Sequence, residues 1–199
     1  MSAPRIHFLP IVAVAAVICT ASLAGAQLPA RATPAPARFT VTSPDLQLRG
    51  RVTQSHVFNG MGCTGQNISP VLQWSNPPAG TKSFAVTAYD PNAPTGSGWW
   101  HWVIYNIPAS VNHLASDAGK PDGRMAPRGS VQGSTDFGTA GYGGPCPPPG
   151  DKPHRYIFTV YALKVDRLNL PRNATAANVG FNLHANVLGT AQITALYGR

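Results

Sequence analysis

The sequence predicts a mainly β protein, an antiparallel β-sandwich with one or two peripheral helices. Three observations lead to this prediction. Several stretches either alternate apolar with polar residues or concentrate β-branched and aromatic ones, as strands do. Long segments rich in Gly and Pro separate these stretches. Apolar residues recur at helical spacing mainly in one place, near the end of the sequence.

Five stretches have the character of strands. Alternation is clear in 38–42 and 83–89, and 156–163 is dense in β-branched and aromatic residues. Stretch 99–107 is apolar on both faces, which is typical of a central strand covered on both sides. Its ring-rich start is expected at one end of the sheet. Residues 192–197 are predicted to form the last strand.

A helix is predicted over 176–188. Val179, Leu183 and Val187 recur there at helical spacing, and Gly189 is expected to end the helix.

Three Gly/Pro-rich segments connect the strands: 59–70, 91–98 and 129–153. Connections this long in a compact domain usually carry function or are held by a cross-link. We therefore expect the functional side chains at their borders.

The N-terminus has the layout of a secretory signal. Basic Arg5 precedes an apolar run over 8–17, and small residues lead to a cleavage site after Ala26. The predicted domains are a signal peptide at 1–26, a flexible Pro/Ala-rich tether at 27–37 and one folded domain at 38–199. The predicted location is periplasmic or secreted.

Two alternative interpretations of the N-terminus stay open. The first is a lipoprotein signal with Cys19 as the lipidated residue, although Ile18 stands where that signal needs a small residue. The second is an uncleaved membrane anchor, which Pro10 and the modest apolar length disfavour.

Loss of the signal would remove Cys19 and leave Cys63 and Cys146, an even number in a compartment that permits disulfides. We predict that the two form a disulfide. The alternative is two independent buried thiols, because sequence alone does not show that their Cα atoms come within bridging distance.

The chain is basic, with 15 Lys and Arg against 7 acidic residues, none of them Glu, and a formal net charge of +8. This balance favours anionic partners, including weak peripheral association with an anionic membrane surface. The basic residues are scattered singly, whereas a nucleic-acid footprint usually clusters on one element. We therefore expect no nucleic-acid partner.

Three polar side chains stand at or near the ends of predicted strands: Asp90, His101 and His154. Each also has a purely structural interpretation. Asp90 could be a turn carboxylate, His101 a hydrogen-bonded core imidazole and His154 a loop residue packed on proline.

The motifs around these residues resemble a known family. They are H-V-F-N-G-M-G, N-I-S-P-V-L-Q-W, Y-D-P-N-A-P-T-G-S-G-W-W-H-W, T-D-F-G-T-A-G-Y, P-H-R-Y-I-F-T-V-Y-A-L and V-G-F-N-L-H. The combination of D-P-x-A-P, W-x-H and H-R-Y is much more specific than one short pattern. The chain resembles the phosphatidylethanolamine-binding protein family, in particular its bacterial branch similar to Raf kinase inhibitor protein.

The resemblance implies a Greek-key type of β-sandwich with a pocket for phosphate-like or carboxylate groups near one edge. It matches Asp90, His101 and His154 to the pocket's carboxylate and its two imidazoles. The full set of ligand-binding residues that it implies is Asp90, Pro91, Trp99, His101, Tyr142, Gly144, His154 and Tyr156.

Two departures from the family pattern stand near the expected pocket. Asn92 replaces a second acidic residue, which lowers the local negative charge. Cys146 replaces a residue that is often small, and its pairing with Cys63 would tie the pocket loop to the N-I-S-P loop.

The residue types themselves suit a small anion or a zwitterion. Two imidazoles can donate N–H groups to an oxyanion, and a carboxylate can fix a tautomer or bind an ammonium group. Rings from Trp99, Trp100 and Tyr142 are expected to lower the dielectric around these contacts. The expected ligand is phosphate or phosphoethanolamine-like.

We interpret the protein as a non-catalytic binder without a cofactor or metal. The nearby Ser97 and Ser130 lie in loose Gly-containing loops that lack a nucleophile-elbow signature, and a disulfide-bonded Cys146 supplies no thiolate. The alternative is an inhibitor or regulator of an envelope, extracellular or host protein. The resemblance also implies that homodimers form in this branch.

Overall fold

The computed structural model describes residues 37–46 and 50–199. The predicted signal, its cleavage site and all but the last residue of the predicted tether lie outside these ranges. Within them, ten strands and one helix form: β1 Thr40–Thr42, β2 Asn59–Gly60, β3 Cys63–Thr64, β4 Leu72–Ser75, β5 Ser83–Asp90, β6 Trp99–Pro108, β7 His113–Leu114, β8 Val131–Gln132, β9 His154–Leu163, α1 Ala176–Asn186 and β10 Val187–Tyr197. In the part of the chain so described, no helix is long and apolar enough to cross a membrane.

The strands form antiparallel sheets, as the sequence predicts. The large sheet has the order β10-β9-β5-β6-β8, a smaller one has the order β1-β4-β7, and β2 pairs with β3 in a hairpin. Stretch 99–107 lies next to the short edge strand β8, so that β5, not β6, is the central strand of the large sheet.

The main core fills the space between the two larger sheets. Side chains alternate along a strand, so Phe84, Val86 and Ala88 of β5 share one face, and they pack with Leu72 and Trp74 from the small sheet. The Trp74 and Phe84 ring centroids are 5.2 Å apart. This packing makes the fold a two-layer sandwich.

A second core covers the opposite face of the large sheet. Val103 and Tyr105 of β6 point there, and Val179 and Leu183 of α1 pack against them. Strand β6 is therefore buried on both faces, which explains why its sequence is apolar at nearly every position.

The helix ends earlier and the last strand begins earlier than predicted. Val187 is extended and pairs with Leu163 of β9, although its spacing fits the helix pattern. Gly189 lies at a register shift within β10, where an added Cβ would meet a Pro78 side-chain carbon at 2.8 Å. Close packing, and not a helix end, therefore requires this glycine.

Cys63 and Cys146 form a disulfide with a Cα–Cα distance of 6.0 Å. The bridge joins the β2–β3 hairpin to the Pro-rich segment before β9 across 83 positions. Closing so long a loop stabilises the fold by about 4 kcal/mol through the unfolded chain.

Candidate functional site

The ends of three neighbouring strands, β9, β5 and β6, lie side by side at one end of the large sheet. Because β5 and β6 are antiparallel, the end of β5 at Asp90 lies opposite the start of β6 at Trp99. Strand β9 lies on the other side of β5 and is antiparallel to it, with Tyr89 opposite Ile157. Strand β9 therefore starts at this same end of the sheet. The topology thus places Asp90, His101 and His154 together.

These side chains line a cavity of about 260 Å³. The walls are mostly apolar, and the polar groups are few, an arrangement that is common in small-molecule sites. The lining residues are Met61, Asp90, Ala93, Pro94, Thr95, Trp99, His101, Phe137, Cys146, Pro147, Pro148, His154, Tyr156 and Arg199.

Five of the eight ligand-binding residues that the sequence suggests line this cavity: Asp90, Trp99, His101, His154 and Tyr156. Pro91, Tyr142 and Gly144 do not line it. The Tyr142 hydroxyl is buried and donates to the His56 carbonyl, 2.9 Å away.

Gly144 has a structural role. A Cβ at this position would lie 2.1 Å from the His56 carbonyl oxygen, so only glycine lets the two backbones approach. The Asn67 side chain fixes the same loop, because it donates to the Tyr142 carbonyl at 3.1 Å and accepts from the Gly144 amide at 2.7 Å. The N-I-S-P segment thereby positions Gly143, whose carbonyl contacts His101.

Asp90, Asp151 and His154 form what we call the paired cluster. Nδ1 of His154 lies 2.7 Å from Asp90 Oδ2, and Nε2 lies 3.2 Å from Asp151 Oδ2. The other Asp90 oxygen accepts from the Asn92 amide at 2.8 Å. An imidazole N–H donates to a carboxylate oxygen, so His154 links the two Asp side chains.

His101 is bonded differently. Its Nδ1 lies 2.7 Å from the Gly143 carbonyl oxygen. A carbonyl only accepts, so Nδ1 carries a hydrogen and donates. Burial lowers the pKa of His101 below its usual value, and the opposing effects of the Gly143 carbonyl and the Asp90 charge are smaller. The neutral ring therefore has a hydrogen at Nδ1 and a lone pair at Nε2.

Tyr156 supplies the second unusual group. Its hydroxyl is buried and has no hydrogen-bond partner among the residues that the structure describes. Burial, followed by the nearby Asp90 charge, raises the pKa of Tyr156 far above its usual value. The hydroxyl thus stays protonated and can donate to a ligand in the cavity. We call His101 and Tyr156 the open pair.

Aromatic rings surround the open pair. The Tyr156 ring meets the His101 ring edge to face at 5.1 Å, and the Phe137 ring does so at 5.4 Å. Trp99 in turn packs against Phe137 at 5.4 Å. This apolar wall strengthens electrostatic contacts inside the cavity.

Trp100 is not part of the wall, contrary to expectation. Neighbouring strand residues point to opposite faces, so Trp100 leaves the side that Trp99 and His101 share. Its ring packs on Tyr89 with centroids 4.5 Å apart.

Two links hold the outer rim of the cavity. One is the disulfide, since Cys146 is itself a lining residue. The other is Arg199, whose guanidinium donates to the Pro147 carbonyl at 2.7 Å and the Gly62 carbonyl at 2.8 Å. Both links join the β2–β3 hairpin to the Pro-rich segment.

Sequence reasoning missed Asp151, Phe137 and Arg199. Phe137 lies in the T-D-F-G motif, so the motif itself was a usable signal. Asp151 and Arg199 have no such signal, because their contacts depend on how the Pro-rich turn folds back over the cavity.

Across residues 37–46 and 50–199, no group of three or more His, Cys, Asp or Glu side chains is arranged to hold a metal ion.

Comparison with known proteins gives consistent results. The family model described as phosphatidylethanolamine-binding protein matches residues 42–198. The chain is 56% identical over 161 residues to UPF0098 protein YbcL of Escherichia coli strain K12, covering 81% of this chain and 88% of YbcL. It is 53% identical over 156 residues to UPF0098 protein YbhB of the same strain, covering 78% of this chain and 97% of YbhB.

A solved structure resembles the whole described fold. It is the crystal structure of Escherichia coli YbcL, reported as a new member of the mammalian PEBP family. The TM-score is 0.81 at 56% identity, with 82% of this chain and 99% of the YbcL chain covered.

Proposed function

This chain belongs to the phosphatidylethanolamine-binding protein family, and we propose that it binds a small phosphate-bearing ligand, such as phosphoethanolamine, without transforming it. The observation that carries the proposal is the convergence of Asp90, His101 and His154 on one cavity. Three distant parts of the sequence contribute these polar groups to an otherwise apolar hollow.

The open pair supports a ligand in this cavity. A buried hydroxyl without a partner costs about 1–3 kcal/mol, and a ligand oxygen near Tyr156 would remove that cost. The Trp99 and Phe137 rings line the same space and suit an ammonium group. Phosphoethanolamine offers both an oxyanion and an ammonium group.

The side chains around the cavity favour binding over nucleophilic catalysis. Cys146 is in a disulfide and supplies no thiolate. The Thr95 hydroxyl donates to the Gly98 carbonyl. The Tyr156 hydroxyl has a raised pKa, the opposite of what a nucleophile needs.

Export is part of the proposal. It rests on the signal-like segment 1–26. The Cys63–Cys146 disulfide supports it, because such bonds persist in oxidising compartments.

The test is a calorimetric titration of phosphoethanolamine into the protein at pH 6. We expect one site, and we expect Tyr156→Phe to weaken binding about tenfold or more, since hydrogen bonds to charged groups contribute about 1.5–3 kcal/mol. Tyr161→Phe is the matched control, because Tyr161 lies on the same strand but packs on the second core. Absence of binding to the wild type, or equal affinity in Tyr156→Phe, would refute the proposal.

A further inference from the structure

A groove lies along the free edge of the large sheet, apart from the cavity described above. Strand β8 is the last strand at this edge, and its residues Val131 and Gln132 line the groove together with Tyr105 of β6. The remaining lining residues come mainly from two loop segments, 121–130 before β8 and 167–172 after β9, and the volume is about 580 Å³. Among the described residues, none lines both this groove and the cavity.

Hydrogen bonds hold the second of these loop segments in place. The Asn106 side chain donates to the Leu168 carbonyl at 3.2 Å and accepts from the Leu168 amide at 2.7 Å. Beyond the other end of the segment, the Ser134 amide donates to the Ala174 carbonyl at 2.9 Å. Both ends of the segment are therefore fixed to the sheet, and the groove has a defined shape.

Arginines that are scattered in the sequence border this groove. Arg167 and Arg172 line it, and Arg128 adjoins the lining residue Gly129. A Cβ added to Gly129 would lie 4.0 Å from the Arg167 guanidinium, which shows how close the two segments come. In the part of the chain that the structure describes, none of the three arginines forms a salt bridge with a carboxylate. Their positive charge therefore attracts an anionic partner.

The backbone of β8 has an unpaired position in the same groove. Hydrogen-bonded and non-hydrogen-bonded pairs alternate along an antiparallel ladder. The Gly133 amide donates to the Val103 carbonyl at 2.8 Å, so the next pair, Gln132 with Ile104, is of the non-hydrogen-bonded kind. The N–H and C=O of Gln132 therefore point away from β6, and no backbone group within residues 37–46 and 50–199 bonds to them.

The chain itself shows that this edge accepts an extended segment. Ser134 forms a parallel β-bridge with Thr175, in which it donates to the Ala174 carbonyl at 2.9 Å and accepts from the Ala176 amide at 3.0 Å. Gln132 lies two positions earlier, so its backbone groups face the same side. The edge is thus occupied at Ser134 and open at Gln132, the position that lies in the basic groove.

We infer that the groove binds an extended acidic segment of another protein, which adds to the edge of β8 and places carboxylates against Arg167 and Arg172. Main-chain hydrogen bonds to Gln132 supply affinity, and the arginines select acidic side chains. A peptide backbone both donates and accepts, as Gln132 requires, whereas an inorganic polyanion only accepts and leaves the Gln132 carbonyl without a donor. The inference is independent of the proposed function, because it concerns a separate surface.

A second copy of this chain is a poor source of such a segment. The chain has seven acidic residues, and no two of them are neighbours in the sequence. Each already bonds within its own chain: Asp45, Asp90, Asp117, Asp122, Asp136, Asp151 and Asp166. The chain therefore has no acidic run that could face two arginines, and the occupant is a different protein.

The test measures the binding of fluorescein-labelled peptides by anisotropy at pH 7 and low ionic strength. The main probe is a hexapeptide of alternating Glu and Val, and a hexapeptide of alternating Gln and Val is the neutral control. A third probe is the acidic peptide with every amide N-methylated, which keeps the charge but cannot donate to the Gln132 carbonyl. We expect the main probe to bind about tenfold more tightly than either of the others.

Arginine variants locate the binding. Arg167→Gln and Arg172→Gln should each weaken binding of the acidic peptide about threefold, the scale of an exposed ion pair. Arg38→Gln removes the same charge from an exposed residue just before β1, and we expect it to leave the affinity unchanged. Hydrogen exchange of the Gln132 amide, followed by NMR, should slow in the complex, because that amide gains an acceptor.

Several results would overturn the inference. One is equal affinity for the acidic and neutral peptides, or no binding of the acidic peptide. Another is equal affinity for the N-methylated peptide, or unchanged exchange at the Gln132 amide in the complex. A third is displacement of the acidic peptide by an equal concentration of tripolyphosphate, which would mean that the groove binds anions in general. None of these results bears on phosphoethanolamine binding in the cavity.

Discussion

The paired cluster and the open pair lie in one cavity, yet they differ in how their polar atoms are satisfied. His154 hydrogen-bonds directly to both Asp90 and Asp151. Nδ1 of His101 donates to the Gly143 carbonyl, whereas the Tyr156 hydroxyl has no hydrogen-bond partner in the part of the chain that the structure describes.

This difference separates two roles. Charged groups whose hydrogen bonds are all made within the protein stabilise the fold and set the electrostatic potential around them. Few of their hydrogen-bonding positions remain for a ligand. Unsatisfied buried groups weaken the fold slightly and gain a partner only when a ligand arrives. The Asp–His–His set that the sequence suggests therefore mixes a structural pair with one imidazole that we propose contacts the ligand.

Breaking the paired cluster should have the largest effect on stability. Asp90→Asn puts an amide next to His154 Nδ1, so the buried imidazole keeps only the partly exposed Asp151 as a carboxylate partner. We expect the free energy of unfolding to fall by about 3 kcal/mol, the upper range for loss of a buried hydrogen bond to a charged group. Urea unfolding followed by tryptophan fluorescence measures this.

The control for that variant is Asp166→Asn. Asp166 is exposed and lies 4.0 Å from Lys82, so its removal should cost about 0.5 kcal/mol or less. If the two variants were equally stable, the paired cluster would not have the structural role assigned to it.

Breaking the open pair should have the smallest effect. Tyr156→Phe removes a hydroxyl that has no partner among the described residues, so we expect the free energy of unfolding to be unchanged or to rise, by about 3 kcal/mol at most. Tyr142→Phe removes an equally buried hydroxyl that bonds to the His56 carbonyl, and it should cost about 1–2 kcal/mol. Equal losses in both variants would mean that the Tyr156 hydroxyl is satisfied in solution.

The sheet architecture could be predicted because the sequence pattern of a strand shows which of its faces are buried. Alternating strands have one buried face, and β6 is apolar on both faces because both are covered. Asp90, His101 and His154 stood out as polar residues at or near predicted strand ends, and the family resemblance joined them into one pocket. Val187 was misassigned because its spacing fits a helix while pairing with Leu163 overrides that local preference.

The division of roles within the site was not readable from sequence. The tautomer of His101 depends on a backbone carbonyl, that of Gly143, whose position is set by a side chain 76 positions earlier, Asn67. Tertiary contacts of this kind produce no periodic pattern in the sequence. The same holds for Asp151, which reaches His154 only because the Pro-rich turn folds back.

The central claim is that the cavity between Asp90, His101 and Tyr156 receives a phosphate group. The most direct measurement is a crystal structure of the protein with phosphoethanolamine at pH 6. We predict phosphate oxygens within about 2.5–3.2 Å of the Tyr156 hydroxyl and of His101 Nε2. A ligand seated elsewhere on the protein, with this cavity occupied only by water, would contradict the account.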